Sequence, residues 1–270
     1  MLLIDIISFS CPLILCAMGA LYSEYAGILA IFLEGLVSFS AFLLFFFSMM
    51  TGFALWGSIL TVITCVFSLI IFALLIEKLK ANPFIAATAI NLLFTSLPSL
   101  FSTLQFKTRG VLSSPDFYFP VLQTKIITIA VTFFIIILAL LFLVKCRRGL
   151  YLRITGSDSE VLRAKGVNPF FYRIFAWAAA AFFSSIAGIF LCMRISSFVP
   201  GISSGRGWMA LAAVYLGKKR PLKITFSTLI FCTADFFAAQ IQNYIPNLPG
   251  SLVLALPYII ILLVIAVEKK

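Results

Sequence analysis

Long stretches of uninterrupted apolar residues recur along this 270-residue chain, and they limit its fold more than any other feature. Several reach the roughly 20 residues that a helix needs to cross about 30 Å of hydrocarbon. They lack the alternation of apolar and polar residues that marks barrel strands, and a spanning segment must satisfy its own backbone hydrogen bonds. The pattern therefore predicts an all-α polytopic membrane protein.

The apolar stretches predict eight full membrane-spanning helices and one half-helix. Pro12 predicts that the first span is kinked or broken. Only Trp208–Gly217 is apolar within 194–217, and ten residues of helix cover about 15 Å, half of the hydrocarbon thickness. Irregular backbone is therefore expected to precede a half-helix in the broken segment 194–217. The full spans are residues 2–20, 28–50, 57–77, 83–105, 124–144, 174–193, 224–240 and 251–267.

The basic residues predict the orientation of the chain. Cytoplasmic segments of membrane proteins carry an excess of Lys and Arg. When the loop 145–173 is placed in the cytoplasm, the N-terminus lies outside and the C-terminus inside. No stretch is long and polar enough for a soluble domain, so residues 1–270 are expected to form a single membrane domain. Of the 20 Lys and Arg residues, only Lys107, Arg109, Lys125, Arg194 and Arg206 then lie elsewhere.

The residue content argues against several classes of function. The chain has no His, which removes the usual general base and most transition-metal sites. Its six Cys mostly lie in apolar stretches without a CxxC pair, so they are expected to be packing residues. The net charge of +11 follows from the cytoplasmic cations, and no basic stripe is interleaved with stacking rings as nucleic-acid binding requires. The chain is thus expected to hydrolyse nothing and to bind no cofactor.

A polar segment, Ser157–Arg173, separates two of the spans. Its first residue can cap a helix N-terminus, two acids follow near the positive end of the helix dipole, and two cations fall in the last turn. A glycine and then Asn168-Pro169 end the helix. The loop 145–173 is therefore predicted to hold a short helix of about ten residues, which is either a solvated connection or a docking surface. Its candidate contact residues are Ser157, Asp158, Glu160, Arg163, Lys165 and Gly166.

Four polar residues in or beside the spans are candidates for lining a solute pathway. A carboxylate at the centre of a membrane helix costs about 2.5–3.5 kcal/mol, so Glu34 and Asp235 should face the interior of the bundle or a wet cavity. Asn91 lies near the middle of its span. The alternative for all three is hydrogen bonding between helices. Arg206 can pair with one of the acids or hold the broken segment in place.

Three blocks of sequence together carry a family resemblance. Leu152–Pro169, Gly201–Gly217 and Ser23–Gly35 lie in different thirds of the chain. They resemble the coupling segment, the broken helix and the early Ser-Glu-x-Ala-Gly... Leu-Glu-Gly block of permease subunits of bacterial ABC importers, in the branched-chain amino-acid, simple-sugar and nucleoside group. The early block is typical of nucleoside-type members, although Tyr25 stands where such permeases usually have Arg.

This resemblance implies a transport subunit of the bacterial inner membrane. A separate cytoplasmic ATPase would hydrolyse ATP and dock on the segment that contains Ser157–Gly166. A second permease, identical or similar, and an extracytoplasmic solute-binding protein would complete the complex within the membrane lipid. The implied solute is a nucleoside, a simple sugar or a vitamin such as riboflavin. The alternative is an ATPase-independent secondary transporter or channel, which would use Glu34 and Asp235.

Overall fold

The computed structural model describes residues 2–244 and Ile259, and the regular structure in this part of the chain is helical, without strands. The helices in chain order are α1 (Leu2–Tyr25), α2 (Leu33–Thr51), α3 (Ala54–Leu79), α4 (Pro83–Phe106), α5 (Val121–Lys145), α6 (Arg147–Ser157), α7 (Ser159–Ala164), α8 (Pro169–Ile195), α9 (Arg206–Leu216) and α10 (Pro221–Tyr244).

Seven of these helices are long enough and apolar enough to cross a membrane: α1, α2, α3, α4, α5, α8 and α10. The prediction of an all-helical polytopic membrane protein is therefore confirmed. The seven helices correspond to seven of the eight full spans expected from the sequence. The remaining span, 251–267, lies outside the described residues, so the count of eight and the orientation of the termini stay predictions.

Helix α8 forms the centre of the bundle. It packs against α1, α2, α3 and α5, because its small residues let neighbouring helices approach closely. Trp177 of α8 is fully buried and stacks on Phe32, with ring centroids 4.6 Å apart. The outer helices α3, α4 and α5 instead present most of their apolar side chains outward, as expected for a surface in contact with lipid.

The connection between α1 and α2 begins and ends at residues other than those that the sequence predicted. Helix α1 continues through Pro12 to Tyr25, so the first helix is not broken at Pro12, and it extends five residues beyond the predicted span 2–20. Proline is tolerated inside membrane helices where neighbouring groups satisfy the freed backbone. Helix α2 begins only at Leu33, which leaves residues 26–32 as irregular backbone in the bundle. Ser23 holds this turn, because its hydroxyl donates to the carbonyl of Ile28 at 2.8 Å.

The second irregular segment was expected from the sequence and is confirmed. Residues 196–205 contain no α-helix, and the 11-residue helix α9 follows. At about 1.5 Å per residue, α9 covers about 16 Å, roughly half of a bilayer's hydrocarbon. Within residues 2–244, irregular backbone therefore precedes both α2 and α9.

Candidate functional site

The carboxylate of Glu34 joins the two irregular stretches. It lies in the first turn of α2, and its Oε1 accepts hydrogen bonds from the Ser203 hydroxyl at 2.5 Å and the Gly205 amide at 2.8 Å. Its Oε2 accepts from the Gly207 amide at 2.7 Å. These donors lie at the N-terminus of α9, where the helix dipole favours an anion. Glu34 therefore caps α9 from another helix and faces the bundle interior, as the sequence predicted.

Close packing around Gly207 holds this cap in place. A Cβ added at Gly207 would lie 2.5 Å from the backbone nitrogen of Glu34, so any side chain there would push α2 and α9 apart. The hydroxyls of Ser38 and Ser203 lie 2.8 Å from each other and add a second polar link between α2 and the irregular backbone before α9. The N-terminus of α9 is thus occupied by protein groups.

Arg206 lies beside this cap and makes both of the contacts considered for it. Its Nη2 lies 3.5 Å from Oδ2 of Asp235 on α10, which confirms the pairing with an intramembrane acid. Its Nη1 also donates to the carbonyl of Ser203 at 3.3 Å, within the irregular segment. The guanidinium lies 5.3 Å from the ring centroid of Phe9. Glu34, Arg206 and Asp235 therefore form one polar cluster at the start of α9.

Asn91 joins this cluster only indirectly. It is buried on α4, and its Oδ1 accepts a hydrogen bond of 2.7 Å from the amide of Gly35. This geometry corresponds to the hydrogen bond between helices that was considered as the alternative to a pathway role. Asn91 thus attaches α4 to the beginning of α2, next to the capping carboxylate. A role in lining a solute pathway stays a prediction for all four residues.

The polar segment contains a shorter helix than the sequence predicted, with a different cap. Asp158, and not Ser157, caps α7: its Oδ1 accepts from the amides of Glu160 at 3.0 Å and Val161 at 3.3 Å. Ser157 is the last residue of α6, and its hydroxyl donates back to the carbonyl of Ile154 at 3.3 Å. A carboxylate complements the helix dipole with a full charge, whereas a hydroxyl does not. Helix α7 has six residues, Ser159–Ala164, instead of about ten, because α6 includes Ser157 and α7 already ends before Lys165.

The remaining predicted contact residues of this segment lie together on the surface. Glu160 is in the first turn of α7, Arg163 in the last turn, and Lys165 at its C-cap. Gly166 follows with a φ of +73°, the left-handed conformation expected of a C′ residue. All four are exposed, while Leu162 is fully buried and anchors the helix. The charged groups are therefore available to another protein.

Helix α6 was not foreseen from the sequence. It covers the first half of the loop, and its buried residues, Gly149, Leu152 and Thr155, recur every three positions along one face. This spacing fits a helix, but of the three only Leu152 is a large apolar residue, so the pattern alone does not indicate one. The C-terminal end of α6 packs closely on the C-terminal end of α1. A Cβ added at Gly156 would lie 2.5 Å from the Gly27 nitrogen and from the Tyr25 carbonyl oxygen.

Tyr25 connects α6 to the turn that follows α9. The guanidinium of Arg153 on α6 lies 5.1 Å from the centroid of the Tyr25 ring. The Tyr25 hydroxyl donates to the carbonyl of Lys219 at 2.6 Å, and the side chain of Lys219 pairs with Glu24 at 2.9 Å. Residues 24–34 are thus in contact with α6 at one end and with the start of α9 at the other.

The described residues hold no group of three or more His, Cys, Asp or Glu side chains that could bind a metal ion. Of the ten candidate residues that the sequence singled out, three meet at the start of α9, Asn91 lies next to them on α4, and five lie at α7 or its flanks. The tenth, Ser157, ends α6 instead of capping the next helix.

Two curated relatives align with most of the chain. A nucleoside ABC transporter permease protein of Lactococcus lactis, NupC, is 26% identical over 97% of this chain and 90% of its own length. A protein of Haloferax volcanii, TsgC13, provisionally named a glucose ABC transporter permease protein, is 28% identical over 86% of this chain and 74% of its own. Both names describe permease subunits of ABC transporters.

A solved structure and a family profile cover the chain more completely. PsaBC from Streptococcus pneumoniae, solved in complex with Fab, superposes with a TM-score of 0.60 over 98% of this chain and 91% of that one, at 16% identity. At this identity the likeness concerns the fold. The profile of the branched-chain amino acid transport system permease component matches residues 2–265. The chain therefore belongs to this family of ABC transporter permeases, as a transport subunit without an ATPase site of its own.

Proposed function

We propose that this chain is the permease subunit of an ABC importer that moves a nucleoside across the bacterial inner membrane. A separate cytoplasmic ATPase hydrolyses ATP, and the chain itself binds no cofactor. The permease works in a pair with an identical or a similar subunit, and it receives its solute from an extracytoplasmic binding protein. The exposed charges of Asp158, Glu160, Arg163 and Lys165, together with Gly166, form the surface on which the ATPase docks.

One observation carries this proposal: a continuous set of contacts joins the polar segment to the polar cluster in the membrane. Helix α7 follows α6 directly, α6 touches Tyr25 and Gly27, and residues 26–32 lead to Glu34. Glu34 in turn holds the start of α9 by three hydrogen bonds. A displacement of α6 and α7 therefore reaches the interior of the bundle through one short stretch of chain.

The irregular backbone gives this stretch its mechanical role. A helix transmits motion rigidly, whereas residues 26–32 can change their backbone angles without breaking a helical hydrogen-bond ladder. When the ATPase pushes on α6 and α7, the end of α1 moves with them, and the cap at α9 shifts relative to Arg206. In alternating access, such a shift opens one side of the pathway and closes the other.

A nucleoside is the solute class that the observations favour. The block Ser23–Gly35 resembles the nucleoside-type members of the family, and it contains the capping residue Glu34. The Lactococcus lactis relative, which aligns with nearly the whole chain, is named as a nucleoside permease. The provisional glucose assignment of the Haloferax volcanii relative makes a simple sugar the comparison solute in the test.

The first experiment identifies the partners. The tagged chain is purified from its native membrane in mild detergent, and the co-purified proteins are identified by mass spectrometry. We expect an ATPase with a Walker A loop and a solute-binding lipoprotein. Recovery of the chain alone, also after gentle crosslinking, would overturn the proposal in favour of a secondary transporter, and Glu34 and Asp235 would then be the first residues to mutate.

The second experiment identifies the solute. The complex is reconstituted in liposomes, and ATP hydrolysis is measured with the binding protein and with guanosine, glucose or riboflavin. We expect guanosine to stimulate hydrolysis and to accumulate inside, while glucose and riboflavin leave the basal rate unchanged. Stimulation by glucose or riboflavin but not by guanosine would leave the importer intact and refute the nucleoside.

The docking surface is tested by the double variant Glu160→Ala and Arg163→Ala. Both side chains are exposed, so the variant should insert and fold like the wild type. We expect it to lose solute-stimulated ATP hydrolysis, because the charges that orient the ATPase are gone. Arg109→Ala, in the loop predicted to lie on the opposite face, is the control. Unchanged stimulation in the double variant would place the docking surface elsewhere.

A further inference from the structure

A pocket lies where α5 ends, α6 begins and α8 begins, and we name it the interfacial pocket. It has a volume of about 470 Å³ and contains one cation, Arg148. Within the part of the chain that the structure describes, Arg148 makes no hydrogen bond or ion pair, so its guanidinium is free to bind an anion. Beside Arg148, the pocket is lined by the rings of Phe142, Phe171 and Phe175.

The start of α6 is strongly positive for two reasons. Arg147 and Arg148 are its first two residues, where the helix dipole disfavours cations, and Lys145 at the end of α5 is close by in the chain. No side chain caps this N-terminus, since the N-cap residue Cys146 makes no capping hydrogen bond. Two cations at the positive end of an uncapped helix repel each other and the dipole, and an anion bound beside them would relieve that repulsion.

The floor of the interfacial pocket is formed by aromatic residues of two helices that are long and apolar enough to span a membrane. Phe142 belongs to the last turn of α5, and Phe175 lies six residues, or about 9 Å, after the start of α8. Phe171 at the rim is 67% exposed. A soluble anion has no use for an apolar floor of this kind, whereas the region just below a lipid headgroup is apolar.

The same two phenylalanines also line a second, apolar cavity that we name the lateral crevice. It has a volume of about 370 Å³ and runs along α8 between α3 and α5. Val66 of α3 and Leu138 of α5 line its two sides, and the small residue Ala178 of α8 lines the space between them. Because Phe142 and Phe175 line both spaces, the interfacial pocket and the lateral crevice adjoin at these two rings.

We propose that the interfacial pocket and the lateral crevice together bind one anionic diacyl phospholipid, with its phosphate at Arg148 and an acyl chain along α8. The cationic end, the apolar floor and the adjoining apolar crevice match the three parts of such a molecule in order. The orientation proposed above places this lipid in the cytoplasmic leaflet. The lipid would hold α6, and with it the docking segment, against α5 and α8.

The test uses the full chain purified in mild detergent, with native mass spectrometry and thermal unfolding as readouts. Phosphatidylglycerol is added as the anionic probe and phosphatidylcholine as the neutral probe. We expect the wild type to retain phosphatidylglycerol and to unfold at a higher temperature with it. Arg148→Gln should retain about fivefold less, the factor that one basic residue contributes near an anionic membrane surface. Arg109→Gln, in the loop between α4 and α5, should behave like the wild type.

A second variant tests the crevice without touching the cation. Ala178→Phe places a phenyl ring in the lateral crevice, and we expect it to lower the retention of phosphatidylglycerol although Arg148 is intact. Equal retention by Arg148→Gln and the wild type would overturn the proposal. Stabilisation by glycerol 3-phosphate as large as that by phosphatidylglycerol would overturn it as well, because the acyl chain would then contribute nothing. Neither readout involves solute or ATP, so the result is independent of the proposed transport function.

Discussion

The side chain of Glu34 shows how one carboxylate can be stable inside a membrane bundle. A carboxylate at the centre of a span costs about 2.5–3.5 kcal/mol, and Glu34 lies in the first turn of α2. Each hydrogen bond to a charged group contributes about 1.5–3 kcal/mol, and Glu34 accepts three. The three bonds offset a cost of this size and fix the position of the side chain at the start of α9.

We predict that Glu34→Gln destabilises the bundle. The amide NH₂ group cannot accept the hydrogen bond that Oε2 now receives from Gly207, and one buried donor is left unpaired. We expect a loss of about 1–3 kcal/mol in the free energy of unfolding and a lower midpoint of thermal unfolding in detergent. Asp116→Asn is the matched control, because Asp116 is exposed in the loop between α4 and α5. Equal midpoints for the two variants would contradict the capping role.

The neighbouring residues Ser157 and Asp158 give a second prediction at this scale. Asp158→Ala removes the acceptor for two amides at the start of α7, which costs about 1 kcal/mol. Hydrogen exchange at the amides of Glu160 and Val161 should therefore become about fivefold faster. Ser157→Ala should leave both rates unchanged, because the Ser157 hydroxyl points back to α6. The opposite pattern would restore Ser157 as the cap.

At the scale of the helices, the contact between α6 and the end of α1 is where the structure can be disturbed most selectively. Gly156→Ala places a methyl group 2.5 Å from backbone atoms of Tyr25 and Gly27, which cannot move aside as a flexible side chain would. We expect the reconstituted complex to hydrolyse ATP while moving less solute per ATP than the wild type. In Gly110→Ala the new methyl group meets its nearest atom only at 3.6 Å, so this variant should transport normally. A normal transport ratio in Gly156→Ala would show that coupling takes another route.

The features that the sequence predicted well each follow from the length or the composition of one stretch of chain. Membrane-length apolar stretches predicted eight spans, seven of which fall on described helices, and the ten apolar residues at Trp208–Gly217 predicted a half-helix. The pairing of Arg206 with an acid followed from the cost of an isolated charge in the bilayer. These features depend on composition and length, which the sequence contains directly.

The features that the sequence did not reveal depend on contacts between distant residues. Residues 26–32 are as apolar as the helix that follows, and only the packing of Gly27 on Gly156 and the hydroxyl of Ser23 distinguish them. Helix α6 was hidden because Gly149, Leu152 and Thr155 are not apolar enough to define a face by pattern alone. The choice between two adjacent capping residues likewise rests on the backbone, since Asp158 takes an extended conformation with a φ of −154°.

At the scale of the whole molecule, the orientation in the membrane can be tested with a native cysteine. Cys146 is exposed beside the start of α6, and the other five cysteines are buried. A membrane-impermeant maleimide should therefore label the chain in inverted vesicles and leave it unlabelled in intact cells, because Cys146 is predicted to face the cytoplasm. Ser113→Cys in a Cys146→Ser background should give the reverse, as Ser113 lies in the predicted outer loop. Labelling of Cys146 in intact cells would invert the assigned topology.

The central position of α8 also has a consequence for how the protein is made. Chains are synthesised from the N-terminus and their parts fold in that order. Five membrane helices leave the ribosome before Pro169–Ile195, the segment against which four of them pack. During synthesis, α1, α2, α3 and α5 are therefore in the bilayer before their common partner has been made. A chain that ends before residue 169 lacks the helix that joins these four, and we expect the membrane quality-control machinery to degrade such a fragment.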